Sequence, residues 1–299
     1  MELRHLRYFL AVGEALNFTR AAAQLRVAQP ALSRQVQDLE DEIGVDLLRR
    51  SPRGVTLTAE GKLFLEEVRE LLKHADESVE RVRALARGEY GELHIGYAPL
   101  PATEILPPAL AGFQKAVPRV KVLLHDLSSD ELIAGLRSGT LDLAIMVEPT
   151  GEQTAGIEFE LLRTSPLWVV MTAAHPFARL KSIPLEKLAV EPLVGLRRKD
   201  YPEYYRFLDR LLAPVHAKPR LAVECDSASS LITEVEAGRG IALASPNFKL
   251  VAGKRLLYRP LTGTSEVASV GIARATKGDV TPAGEKFCEI LRQITKREK

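Results

Sequence analysis

Cysteine is almost missing: the 299 residues contain only Cys225 and Cys288. Two thiols cannot make a disulfide framework, so a stapled secreted fold is excluded and a reducing cytoplasm is the simpler setting. Long apolar runs are missing too. None approaches the roughly 20 residues that span a bilayer, so no membrane partner is expected. The opening MELRHLRYFLAV has a short apolar stretch broken by charges and no small-residue cleavage site, which argues against a secretory leader. Neither sign of charge is in surplus. The net +2 says nothing for or against nucleic acid, and what matters is where the charges sit. A composition of 46% hydrophobic and 27% charged residues is that of a globular protein, long enough for two or three domains.

Catalytic signatures are absent as well. None of the six histidines (His5, His74, His94, His125, His175, His216) pairs with another at the spacing of a zinc helix. There is no G-x-S-x-G and no P-loop, and Gly238-Arg239-Gly240 lacks the third glycine of a dinucleotide fingerprint. Cys225 falls on an apolar strand and Cys288 on a helix, neither with basic neighbours in sequence. Buried unreactive thiols are therefore expected, with a thiol-based redox sensor as the alternative. No enzyme, metal or resident cofactor is indicated.

What is present is a helix with segregated charge, Ala28 to Ile43. Leu32, Val36, Leu39 and Ile43 make one apolar face, and Pro30 sits where a helix start tolerates proline. Gln29, Ser33, Arg34, Gln35 and Gln37 in the first turns suit base edges and phosphates, whereas Asp38, Glu40, Asp41 and Glu42 crowd the last turns. Such a helix enters a DNA groove tip first. Ahead of it, Leu6, Phe9, Leu10 and Val12 form an apolar stripe, and Thr19 suits an N-cap for a second helix, Arg20 to Leu25. The small residues Ala21-Ala22-Ala23 allow close crossing, and the whole reads as a helix-turn-helix. Beyond Gly44, two short apolar strand ends flank the turn Ser51-Pro52-Arg53-Gly54. Beside the segregated helix this hairpin reads as a wing. Arg53 at its tip suits a narrow minor groove, and Arg49 and Arg50 lie nearer the DNA backbone.

From Thr58, a plausible N-cap, a run nearly free of helix breakers continues to Gly88. Leu65, Val68, Leu72, Ala75, Val79, Val82 and Ala86 recur at alternating spacings of three and four, an a/d seam on a rod of about 45 Å. A narrow seam predicts a partner helix, hence a homodimer that presents two reading heads to a palindromic site. Past Gly91 the pattern alternates. Expected strands are 92–97, 121–126, 143–147, 167–172, 193–196, 222–225, 240–244, 256–259 and 267–273. Expected helices are 105–116, 130–137, 204–212, 228–236 and 283–294. That order argues for α/β sheets with ligands at strand-to-helix corners, among them Tyr97–Pro101, Leu127–Asp130 and Asp226–Ser229.

The N-terminal 60 or so residues, LRYFLAV…NFTRAAAQLRVAQPALSRQVQDLEDEIGVDLLRRSPRGVTLTAEG, resemble the DNA-binding domain of LysR-type transcriptional regulators almost residue for residue. The segments GELHIGYAPLPATEILPPALAGFQKAVPRVKVLLHD, LRSGTLDLAIM, AAHPFA and ITEVEAGRGIALAS resemble the effector-binding domain of that family, less sharply. The resemblance implies a winged helix-turn-helix at 1–58, a dimerising linker helix at 59–87 and a two-lobed α/β effector domain at 88–299, like periplasmic binding proteins. Lobe I would hold about 88–161 and 268–299, and lobe II about 162–267. It implies that Gln29, Pro30, Ser33, Arg34 and Gln37 face the major groove of an interrupted inverted repeat and that Arg53 enters the minor groove. Thr19 and Arg50 complete the expected DNA contacts. The implied cleft residues are Pro99, Leu100, Ser128, Ser129, Val147, Pro202 and Asp226, around an effector of unknown identity, an organic acid or metabolic intermediate. Met146 and Val147 stand where some relatives carry an arginine for a dicarboxylate, which counts against a dianion. The implied partners are promoter double-stranded DNA, further copies of the chain up to a tetramer, and RNA polymerase.

Overall fold

The computed structural model describes residues 1–51, 54–98, 102–277 and 280–297. The chain divides into two compact units, Met1–Ala84 and Leu85–Lys299.

In the first unit, α1 (Leu3–Ala15), α2 (Phe18–Leu25) and α3 (Gln29–Ile43) form the helix-turn-helix. Helix α2 begins two residues earlier than Thr19 would set it. The Asn17 side chain accepts the Arg20 amide at 3.0 Å, so Asn17 is the cap and Thr19 lies exposed inside the first turn. Ala28 opens α3 without a side-chain cap, Pro30 is in its first turn, and Gly44 ends it at φ +83, a conformation glycine adopts without strain. Leu32, Val36 and Leu39 pack against Leu6, Phe9 and Val12. Of the three alanines, Ala21 and Ala22 are buried while Ala23 faces solvent.

The hairpin pairs β1 (Leu48–Ser51) with β2 (Gly54–Leu57), register Leu48 to Leu57 and Ser51 to Gly54. Its tip residues Pro52 and Arg53 lie outside the described residues. Helix α4 (Ala59–Ala86) follows, capped by Thr58, whose hydroxyl accepts the Gly61 amide at 2.8 Å and donates to the Asp46 carbonyl at 2.8 Å. A Cβ on Gly61 would lie 1.9 Å from the Leu47 carbonyl oxygen; only glycine lets the hairpin's base cross the helix here.

Helix α4 corrects the expected seam. Val68 and Leu72 are 2% and 6% exposed and belong to the core of their own unit, with Phe64 and Leu65 beside them. Further along, Val79 and Val82 are 50% and 68% exposed, and Leu71 is 46% exposed. The seven-residue pattern therefore serves two surfaces in succession.

In the second unit the elements run β3 (Gly91–Tyr97), α5 (Leu106–Ala116), β4 (Val120–Asp126), α6 (Ser129–Ser138), β5 (Leu143–Met146) and β6 (Ile157–Ser165). Next come β7 (Trp168–Met171), β8 (Ile183–Pro184), α7 (Leu185–Leu188), β9 (Leu193–Leu196), α8 (Pro202–Leu212), β10 (Leu221–Cys225) and α9 (Ala228–Glu236). The chain ends through β11 (Ala242–Ala244), α10 (Lys249–Ala252), β12 (Leu257–Thr262), β13 (Ala268–Ala275) and α11 (Pro282–Arg297). One sheet has strand order β4-β3-β5-β13-β6, with β3 parallel to β4 and β5, and β13 antiparallel to β5 and β6. A second has order β11-β7-β12-β8, alongside the parallel pair β9 and β10. Parallel pairing thus runs from the edge strand β4 through β3 to β5 in the first sheet, while β7 pairs antiparallel with β11 and β12.

Each sheet has its own cores. Leu93, Ile95, Phe113 and Phe287 lie in one lobe, and Val169, Leu208, Leu211 and Ile241 in the other. Strands β6 and β13 pair from Ile157–Ala275 to Ser165–Ala268 and carry the chain out of the first lobe and back. Strand β6 ends at Ser165 and β13 begins at Ala268.

Candidate functional site

The exposed side of α3 presents Gln29, Pro30, Arg34 and Gln37, with Ser33 half-buried between them. The buried stripe Leu32-Val36-Leu39 fixes the rotation of the helix, and so fixes which side chains point away. Arg34 has no partner among the described residues. Gln37 donates to Asp41 at 3.2 Å and Gln35 to Asp38 at 3.1 Å. Arg50 is folded back: it donates to the Ser33 hydroxyl at 2.9 Å, stands 3.7 Å from Glu40 and lies over the Phe18 ring at 4.9 Å. The base of the hairpin is thereby pinned to α3.

Glu40 is the part of this arrangement that charge counting misses. It is 4% exposed, and one carboxylate oxygen accepts the amides of Leu47 and Leu48, both at 2.8 Å. A buried carboxylate that ends two backbone orphans holds the hairpin in register with the reading helix. The acids of the last turns are thus of two kinds, since Asp38, Asp41 and Glu42 are exposed.

In the second unit, a cavity of about 380 Å³ opens between the lobes. Ala98, Ser129 and Val147 to Thr150 line it from the first lobe. Leu196, Tyr201, Glu203, Tyr204 and Phe207 line it from the second, and Arg163, Ser165, Ala268 and Ser269 from the crossing strands. Of the expected cleft residues, Ser129 and Val147 are at the wall. Ser128 is not. It caps α6 in a reciprocal pair with Glu131, donating to that carboxylate at 2.7 Å. Pro202 opens α8 and its neighbours Tyr201 and Glu203 point inward instead. Asp226 is exposed outside the wall, paired with Arg197 at 3.3 Å and accepting the Ser230 hydroxyl at 2.7 Å, which holds its carboxyl below the usual range. Pro99 and Leu100 lie outside the described residues.

Sequence reading missed the cavity's polar centre. Glu203, 6% exposed, accepts the Ser129 hydroxyl at 2.6 Å on one oxygen and the Gln153 amide at 3.3 Å on the other. Burial pushes its carboxyl above the ordinary range. Tyr201, whose hydroxyl donates to the Asp226 carbonyl at 3.3 Å, is pushed up to about 12 by burial first and by nearby acids second. Arg163 pairs with Glu104 at 2.7 Å, and Arg210 with Glu266 at 3.5 Å. The run Arg197-Arg198-Lys199 ahead of Tyr201 is engaged too, with Arg197 on Asp200 and Asp226 and Arg198 over the Tyr205 ring at 4.4 Å.

The thiols do not form a pair. Cys225 and Cys288 lie buried in the separate cores of the two lobes, and burial raises both, Cys288 to about 11. Among the described residues no group of three His, Cys, Asp or Glu is placed to hold a metal ion, and no helix is long and apolar enough to cross a membrane.

A winged helix-turn-helix, with a two-lobed domain around a cavity of ligand size, defines a ligand-responsive DNA-binding regulator. The model of bacterial regulatory helix-turn-helix proteins of the lysR family matches residues 3–62, and that of the LysR substrate binding domain matches residues 86–296. The chain belongs to the LysR family of transcriptional regulators. The HTH-type transcriptional regulator AlsR of Bacillus subtilis is 34% identical over 261 residues, 87% of this chain and 86% of that one. The Hca operon transcriptional activator HcaR of Escherichia coli is 32% identical over 294 residues, 98% of each chain. Full-length CbnR in complex with its target DNA superposes with a TM-score of 0.82 at 30% identity, covering 99% of this chain and 100% of that one.

Proposed function

We propose that this protein, a LysR-type regulator that binds DNA and an effector, reads an interrupted inverted repeat in promoter DNA. The observation that carries this is the outward face of α3, where Arg34, without a partner among the described residues, stands between exposed Gln29, Pro30 and Gln37. Arg34 and Gln29 read base edges in the major groove, and Arg50 orders the wing through Ser33 and Glu40. The solved complex of full-length CbnR with its target DNA, a chain of similar fold, supports DNA as the partner. Two reading heads come from a homodimer, and the exposed Leu71, Val79 and Val82 of α4, within about 80° of one another on the helix, are its contact. Dimers pair into tetramers, and lobe movement on effector binding alters their spacing on DNA and their access to RNA polymerase.

The effector is a freely diffusing small organic metabolite rather than a resident cofactor, and the chain acts in the cytoplasm without catalysing a reaction. A receptor that only binds solute would leave the face of α3 without a role, and the buried, raised thiols give a redox sensor no reactive sulfur. Selection of the full-length protein against a random duplex library tests the reading. It should enrich two half-sites of inverted symmetry, bound with a steep salt dependence. Failure to enrich any inverted repeat would overturn it.

A further inference from the structure

Resting on the reading of the interlobe cavity as the effector site, we propose that its effector carries an ammonium group on an apolar body, and that Glu203 receives the ammonium. Apolar walls supply the body's environment: Ile105, Leu167, Leu196, Phe207, Leu231 and Leu243 face the cavity. Its formal charges do not balance. Arg163 is paired with Glu104 and Arg210 with Glu266, whereas the acids Glu148 and Glu203 at the wall have no cation paired with them among the described residues.

Glu203 is the telling one, because it is buried. Two neutral donors, from Ser129 and Gln153, take one position on each of its oxygens. A carboxylate offers about four such positions, so acceptor capacity remains for an ammonium's hydrogens. The charge that acts on it is that of Asp130, of the same sign, and Tyr201 beside it feels Asp126, Asp200 and Glu131. A buried carboxylate without a counter-charge is costly, and a ligand that brings the cation recovers that cost in a low dielectric where the attraction is strong. A carboxylate ligand meets the opposite situation. It faces Glu203 directly and finds both arginines of the wall already paired with acids.

The test is calorimetric titration of the full-length protein with three probes that share a phenyl ring: phenethylamine, phenethyl alcohol and hydrocinnamate. The amine should bind at least about tenfold more tightly than the acid, with the alcohol between them. Glu203→Gln should remove about tenfold of the amine's preference and leave the alcohol within about twofold. The fluorescence of Trp168, in β7, shows whether that variant is folded. The ranking in the unaltered protein stands on its own if it is not. Hydrocinnamate binding as tightly as phenethylamine overturns the proposal, as does a preference unchanged in Glu203→Gln or the absence of binding by all three. Hydrogen exchange separates the two levels of the argument. Amine protection at 129–131, 147–153 and 201–207 places the probe in the cleft, whereas protection only elsewhere overturns the cleft reading itself.

Discussion

Two residues of opposite visibility govern the DNA-binding unit. Arg34 was legible because an exposed arginine in the first turns of an amphipathic helix follows from the Leu32-Val36-Leu39 stripe alone. Glu40 was not, because in sequence it is one acid among four, and only the return of the hairpin to α3 buries it against the amides of Leu47 and Leu48. The two should therefore fail differently. Arg34→Ala should leave the protein folded and relax base preference at one position of each half-site, at a cost of about 1–3 kcal/mol of discrimination. Competition between the selected site and single-base variants of it measures that loss, and undiminished preference would demote Arg34 to a phosphate contact. Glu40→Ala should destabilise the first unit by about 3 kcal/mol, since it leaves two buried amides unpaired and frees Arg50. Denaturation followed by far-ultraviolet circular dichroism should show the early loss of helix. The fluorescence of Trp168, the chain's one tryptophan and a residue of the other unit, should melt as before. In the cleft the same contrast recurs. Pro202 was expected at the cleft ahead of a helix from 204, but the helix begins at Pro202 itself, and which side chains of its first turn point inward depends on the rotation of α8, set by Leu208, Leu211 and Leu212 in the core.

Elements were legible where one period runs through them. Helix α9 was expected at 228–236 and lies there, bounded by the Ser227 cap. Strand β6 was not expected at all. Its alternation Ile157-Phe159-Leu161 breaks at Leu162, where the pairing with β13 shifts register between Val270 and Gly271, so Leu161 faces out and Leu162 in. Helix α4 shows the converse error: one unbroken period across two environments. Val68→Asp should unfold the first unit, because that side chain is 2% exposed. Val82→Asp, at a site 68% exposed, should leave the unit folded, lower the mass in solution to that of a smaller assembly, and weaken binding to the paired half-sites far more than to a single one. Sedimentation and polarisation of the two variants check both outcomes, and an unchanged assembly in Val82→Asp would remove α4 from the interface.

At the scale of the whole effector domain, the sequence carried the two-lobed plan only through family resemblance, since no period announces that β6 and β13, more than a hundred residues apart, will pair. The contact that closes the plan is equally non-local. Ser129 at the start of α6, Gln153 after β5 and Glu203 on α8 meet in one hydrogen-bonded group across the cleft. Its energetics depend on pH in a direction that can be worked out. Burial raises the Glu203 carboxyl above its ordinary 4.5. Below 4.5 it is protonated in folded and unfolded chains alike, and its contribution is intact. As pH rises from 4.5 through the folded value, the unfolded chain ionises first and binds fewer protons than the folded one, so stability is lost. Glu203→Gln cannot ionise, and at every pH it offers what the protonated acid offers, one accepting oxygen and one donor. The melting temperature of this domain, followed by Trp168 fluorescence, should therefore be similar in the two proteins near 4.5 and separate above it. The variant should be the more stable of the two above that range, by a margin that grows as pH rises through the folded value. A wild-type domain that gains on the variant over that interval would mean that Glu203 is stabilised as a carboxylate by a cation in the closed cleft. An effector ammonium should bring about that same reversal when it binds, so the pH profile with and without phenethylamine joins the stability of the lobes to the chemistry of the ligand.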